Sequence, residues 1–371
     1  MNRYTKYCAV MLIAALILAS LSSCGLGGLD MVLGGILPDG LGDMLSSNTP
    51  SEEEDKGEES SSEVDTSIFE TFEEDTDSSD ATDGEQGYRE RILLVTDFHY
   101  CKNYYGVSMD DRMNRMVKHI NAEHEKDPLS MIIFMGDYSL DHWGYDKTPP
   151  VTYINTGVSH TQLFMEKYKS KLPDVPMFWL AGNHEQFGEE NWKKITGNSR
   201  QGYEVIEDYL IIMWDSYGAD LDPKTHSDGT YTPMDTEWVG GLMAEYPDKK
   251  VILISHSFST TKELGNSEAI VSDDRVVALF AGHNHSSHLQ NLGSDFGYKT
   301  LAFAGNYSYY GSEGDPGDHP WGFRDLVLEH DKVRSAYIIT ENSIIVNGKV
   351  KKIQAKEQNV LARRIYWKEE E

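Results

Sequence analysis

From Tyr88 onward, short apolar runs alternate with longer stretches in which apolar residues recur at helical spacing. The runs cover 92–95, 131–135, 177–181, 209–214, 251–254 and 276–281. Each is rich in β-branched or aromatic residues and closes on polar residues or glycine, the pattern of a strand buried on both faces. Between the first two runs, Met113, Met116, Val117 and Ile120 mark one face of a helix over 108–126, with Ser108 and Asp111 as its start signal. Further helices are expected over 160–171, 189–196 and 235–245. Beyond His288 the pattern turns to strands, at 300–304, 323–329 and 334–340. His330-Asp331 reads as a hairpin turn between the last two, and 344–353 as a short strand pair around Asn347-Gly348. The alternation places the chain in the α/β (α+β) class, without internal repeats.

The first 87 residues do not follow this pattern. Arg3 and Lys6 precede an apolar core at 8–18 that is too short for the roughly 20 residues of a membrane-spanning helix. Residues 1–23 therefore read as a cleavable export signal. Leu21-Ser22-Ser23-Cys24 resembles a bacterial lipobox, so Cys24 is expected to be acylated and to anchor the mature protein to the outward face of a membrane. Removal of Cys8 and lipidation of Cys24 would leave Cys101, with no partner for an intramolecular disulfide. The stretch 24–87 begins rich in Gly and Leu and becomes strongly acidic. Between Ser51 and Gly87, 16 carboxylates face one base, Lys56, which accounts for more than half of the net charge of −28. Such a segment buries too little apolar surface to offset its ordering entropy, and is expected to be a disordered linker. Forty residues of it would span about 35 Å. A partner-binding acidic tail is the alternative. The charge makes a nucleic-acid backbone an unsuitable partner. The remaining 88–371 is read as one domain.

Five of the six runs end in chemistry: Asp97-Phe98-His99, Gly136-Asp137, Gly182-Asn183-His184-Glu185, Ser255-His256 and Gly282-His283-Asn284-His285. The run 209–214 carries none. Open sheets place their ligands at the carboxyl ends of strands. On an ideal strand Asp97 and His99 share a face, where a carboxylate and an imidazole suit a borderline cation. Asp137 can bridge two cations, and Asn183 offers a neutral oxygen. Adjacent residues on extended chain point apart, so His184 is expected to face substrate instead of metal. His256, His283 and His285 are further nitrogen donors, the last two spaced to share a direction. Singly, each histidine is more often solvated or packed in a core; the ordered series is what points to metal. The segment 305–310 and His142-Trp143 line a pocket or merely pack, His226 reads as solvated, and His288 stands close enough to support the site.

This series resembles the calcineurin-like metallophosphoesterase superfamily, whose pattern is D-x-H, G-D, G-N-H-[D/E], a lone His after a strand, and G-H-x-H. The resemblance spans roughly 88–340. It implies a two-sheet αββα sandwich and two metal ions, with Mn, Fe and Zn all suited to a donor set without thiolate. It implies one ion on Asp97, His99, Asp137 and His285, and the other on Asp137, Asn183, His256 and His283, with Asp137 bridging. It further implies attack on phosphorus by a hydroxide between the ions, with His184 as general acid. Departures narrow the class. Leu140 stands where purple acid phosphatases carry a metal-bound Tyr, no Arg follows the bridging Asp as in protein Ser/Thr phosphatases, and His256-Ser257-Phe258 lacks the proline many phosphodiesterases place there. Asp141 stands one residue later than the acidic or amide residue many members carry, so no role is transferred to it. The expected activity is hydrolysis of phosphate mono- or diesters, on a diffusing substrate or on a lipid or polymer at the envelope. A catalytically silent binding or scaffold protein of the same fold is the rival, and complete filling of the ligand positions argues against it.

Overall fold

The computed structural model describes residues 88–101, 103–104, 106–141, 159–218, 228–308, 320–330 and 332–341, with the backbone of 343–346, 349–352 and 364–368. The segments 1–23 and 24–87, expected to be an export signal and a linker, lie outside the described residues, as do His142, Trp143, His226, Tyr309 and Tyr310.

The chain enters β1 (Arg89–Val95), crosses by α1 (Met109–Lys126) to β2 (Met131–Phe134), and continues to α2 (His160–Tyr168), β3 (Met177–Trp179) and α3 (Glu189–Thr196). A second series follows: β4 (Gly202–Ile206), β5 (Tyr209–Trp214), α4 (Thr236–Glu245), β6 (Lys250–Ser255), the single turns α5 (Thr260–Glu263) and α6 (Glu268–Val271), and β7 (Val276–Ala281). Strands then predominate, with β8 (Leu289–Asn291), β9 (Thr300–Phe303), β10 (Trp321–Glu329) and β11 (Lys332–Glu341). The hairpin of β12 (Ser343–Val346) and β13 (Lys349–Lys352) precedes β14 (Arg364–Lys368).

Two six-stranded sheets result, in the orders β14-β11-β10-β1-β2-β3 and β4-β5-β6-β7-β9-β8. In each, the strands that precede the polar motifs run parallel: β1, β2 and β3 in the first, β6 and β7 in the second. Their carboxyl ends therefore emerge at one edge of each sheet. The sheets pack face to face through Ile92, Leu94, Ile133 and Leu326 of the first against Ile211, Ile252, Ile254 and Phe280 of the second. Alternate residues of the same strands, Leu93, Val95, Ile132 and Phe134, point outward onto Met113, Met116 and Ile120 of α1 and Phe164 of α2. On the far side, Ile212, Leu253 and Leu279 meet Val239, Leu242 and Met243 of α4. This is an αββα sandwich, and it explains why the strands read as unbroken apolar runs: both faces are buried. Burying each such side chain contributes about 1.5–3 kcal/mol relative to exposure.

The helices begin where the sequence signals them. Ser108, Ser159 and Asp235 accept from backbone N–H groups in the first turns of α1, α2 and α4, at 3.0 Å each. Strands β4, β8 and β14 carry no expected signal. The first two are sheet-edge strands of five and three residues, and β4 alternates too little apolar surface to register.

Candidate metal centre

The loops after β1 and β2 lie side by side, with the Asp97 N–H donating to the Gly136 carbonyl and the His99 N–H to the Asp137 carbonyl, both at 3.1 Å. The loop after β3 closes against them at a glycine contact. A Cβ on Gly182 would lie 2.2 Å from Asp137 Oδ1, and one on Gly136 only 2.7 Å from Gly182 Cα. Glu185, fully buried, ties the loops after β2 and β3 together. Its carboxylate accepts from the N–H groups of Asp137 (2.8 Å), Gly182 (2.9 Å) and Tyr138 (3.0 Å).

The expected shared face of Asp97 and His99 has a different origin from strand alternation. Both lie beyond the end of β1, at φ of 51° and 41°. Asp137, His283 and His285 are also left-handed, so five of the seven described non-glycine residues with positive φ are candidate ligands. Backbone strain of this kind persists where the surrounding structure enforces it, typically at functional sites. His283 and His285 likewise do not share a direction. His285 Nε2 sits 3.2 Å from Asp97 Oδ1, whereas His283 Nδ1 sits 2.9 Å from Asn183 Oδ1.

Two donor sets result. Asp97, His99, Asp137 and His285 each offer a ligand atom within 4.8 Å of the others, and so do Asp137, His256 and His283. Asn183 joins the second set, its Oδ1 being 3.0 Å from His256 Nε2. Asp137 belongs to both. His184 belongs to neither; its Nε2 lies 3.7 Å from Asp137 Oδ2 and its Nδ1 3.5 Å from Asp228 Oδ1.

The surroundings suit a cation. Asp97 Oδ1 is buried and receives no hydrogen bond, while Oδ2 accepts from Thr96 Oγ1 (2.7 Å) and the His283 N–H (2.8 Å). His256 Nδ1 donates to the Met135 carbonyl at 2.6 Å, which turns Nε2 toward Asp137 and Asn183. Burial pushes the Asp137 carboxyl up, but His256 and His184 outweigh it and hold it well below the usual carboxylate range. Asp97 is likewise held low, with burial opposed by His285 and His256. Burial drives His99 down to about 4, so it stays neutral and able to ligate. His256 goes the other way, to about 9, because Asp137 overcomes its burial; a proton occupies the place a cation would take. Two carboxylates, four imidazoles and an amide oxygen, without thiolate, form a donor set for borderline divalent ions.

Other sequence candidates find different places. Tyr307 is buried and stacked on Trp321 and Phe323, a packing role. His288 stacks on Phe303, its ring centroid at 4.3 Å. Asp141 serves the start of α2, accepting from Ser159 Oγ and the N–H groups of His160 and Thr161. Three contributors were given no role from the sequence. Glu185 ends a motif without an evident duty. Arg200 donates to the Glu185 and Phe187 carbonyls and pairs with Asp215 at 2.6 Å. Tyr217, on the loop beyond β5, places its ring 5.8 Å from that of His256.

The sandwich and its strand-end donors define a metallophosphoesterase type of site, and comparison with known proteins agrees. The family model described as calcineurin-like phosphoesterase matches residues 90–287, and the chain belongs to that family. It is 23% identical over 256 residues to a probable cyclic nucleotide phosphodiesterase of Pseudoalteromonas sp., covering 65% of this chain and 89% of the relative. Identity to a probable glycerophosphodiester phosphodiesterase of Arcobacter nitrofigilis is 26% over 218 residues, 52% of this chain and 71% of the relative. Among solved structures, GAP50, the anchor in the inner membrane complex of Plasmodium, superposes with a TM-score of 0.43 at 12% identity, covering 74% of this chain and 91% of that one.

Proposed function

We propose that this protein is an exported, lipid-anchored phosphodiesterase that works with two metal ions. The observation that carries the reading is the pair of overlapping donor sets sharing Asp137, with a further imidazole, His184, beside the shared carboxylate. Asp97, His99, Asp137 and His285 would hold one ion, and Asp137, Asn183, His256 and His283 the other. Ions held there supply charge neutralisation at the phosphoryl oxygens and activation of water. The chain's own part is placement and proton handling. Asp137 fixes the centre, His256 is locked in one tautomer by Met135, and His184 holds a proton at Nε2 for the departing ester oxygen. The two phosphodiesterase-named relatives favour diesters over monoesters. The acidic segment before Tyr88 serves in this reading as a spacer between the lipidated Cys24 and the catalytic domain.

The test is hydrolysis by protein purified from native membranes and loaded with Mn²⁺, Fe²⁺ or Zn²⁺. The substrates are bis(p-nitrophenyl) phosphate, p-nitrophenyl phosphate, glycerophosphodiesters, cyclic nucleotides and phospholipids. Diester turnover that vanishes on chelation and in Asp137→Ala, together with a diacyl- or triacyl-modified Cys24 by mass spectrometry, is the expected outcome. Inactivity on every ester with each metal would instead establish the scaffold reading, and an unmodified N-terminus elsewhere would remove the anchor.

A further inference from the structure

We infer that Asp228 is the positioning residue for His184, holding its imidazole so that Nε2 faces the reacting centre. The assignment rests on the proposed acid role of His184 and adds to it a residue that belongs to none of the five motifs.

The geometry begins with the segment that follows the loop beyond β5. Its Gly229 N–H donates to the Asn183 carbonyl at 2.7 Å, and its Thr232 N–H to the Ser216 carbonyl at 2.8 Å. These bonds lay the segment across the loop that carries Asn183 and His184. The approach is close: a Cβ on Gly229 would meet the Asn183 carbonyl oxygen at 3.1 Å and Tyr217 Cδ1 at 3.3 Å. With Gly229 pinned to the backbone of Asn183, Asp228 is set beside the next residue in that loop. Its Oδ1 stands 3.5 Å from His184 Nδ1, while the opposite ring nitrogen stands 3.7 Å from Asp137 Oδ2. The imidazole thus lies between two carboxylates, one at the shared centre and one behind it, with the His99 ring edge-on at 5.4 Å.

A histidine that donates a proton from one nitrogen needs the other fixed, because the partner of Nδ1 sets both tautomer and ring direction. The neighbouring carboxylates are committed elsewhere. Glu185 accepts from four backbone N–H groups in the loops of the centre, and Asp141 holds the start of α2. The Asp228 side chain is 52% exposed, so its pair with His184 adds little to stability, and its value lies in orientation.

The experiment uses the full mature chain loaded with Mn²⁺ and two diesters that differ in leaving group, methyl phenyl phosphate and methyl p-nitrophenyl phosphate. Asp228→Ala should melt as the wild type does and keep its metal content. It should lower kcat about 10–100-fold on the phenyl ester, and less than about threefold on the nitrophenyl ester, which departs without protonation. Asp228→Asn, whose amide oxygen can still accept from Nδ1–H, should recover part of the loss. In a His184→Ala background, Asp228→Ala should cost nothing further, since the two act as a unit. Equal slowing of both esters by Asp228→Ala, or an undiminished effect without His184, would overturn the assignment while leaving the acid role of His184 standing. Equal slowing of both esters by His184→Ala itself would remove that acid role, and the assignment with it.

Discussion

Glu185 shows how much of this site rests on a residue that touches neither candidate ion. Its two oxygens collect N–H groups from loops up to 48 residues apart, and by doing so fix the backbone of Asp137. Burial and the nearby Asp137 carboxylate push its pKa up to about 8, so the arrangement carries a standing electrostatic cost. Glu185→Gln keeps the volume but turns an NH₂ group toward N–H donors. It is expected to cost about 1–3 kcal/mol of stability, and to weaken metal binding as Asp137 shifts. Denaturant unfolding with and without Mn²⁺ measures both, and an unchanged midpoint with unchanged affinity would refute the role. The seven candidate ligands were legible because metal chemistry restricts residue type, and strand ends restrict position. Glu185, Arg200 and Asp228 were not, because each acts on a backbone group or ring brought near only by tertiary folding. No spacing rule connects Asp228 with His184.

Among the elements, α1 does more than cover a sheet. Beside the Met113, Met116 and Ile120 stripe, the buried Arg112 donates to the carbonyls of Phe98, His99 (2.8 Å) and Tyr307 (3.0 Å). The helix thereby grips the left-handed loop that presents Asp97 and His99. Arg112→Met preserves apolar packing but removes a donor from three buried carbonyls, of which that of His99 keeps the Cys101 N–H at 2.7 Å. It should destabilise the fold by about 2–6 kcal/mol, the scale for two buried carbonyls that lose their donors. It should also loosen metal held on the His99 side before that on the His256 side. Loss of both to the same extent, followed by metal titration, would show that α1 has no such local grip. Periodicity placed α1 within a residue of its observed start and gave the apolar stripe, yet nothing in it marks Arg112 as buried. The strands were equally clear in their apolar runs, whereas the ligand-bearing turns after them were misjudged as continuing strand. Left-handed φ at Asp97, His99, His283 and His285 comes from loop–loop contacts, which residue alternation does not encode.

At the scale of the molecule, protons and cations compete for one place, and pH should show it. His256 has its pKa raised on folding, from 6.5 to about 9, because Asp137 outweighs burial. A raised histidine stabilises the fold fully below 6.5, and that contribution is lost as pH climbs through 9. Glu185, raised from 4.5 to about 8, acts in the same direction between those values, and so adds to the slope over the lower part of this range, since its charge is disfavoured in the fold. The chelator-treated protein is therefore expected to lose thermal stability between pH 6.5 and 9, and Mn²⁺ loading should flatten the slope. A scanning-fluorimetry series at stepped pH decides it; a flat or rising profile for the stripped protein would contradict the assignment of His256. Each donor set draws on both sheets: Asp97, His99, Asp137 and Asn183 follow strands of the first, His256, His283 and His285 strands of the second. Half a sandwich offers half a coordination shell. A folding chain would thus complete either set last, as rivets through two finished plates.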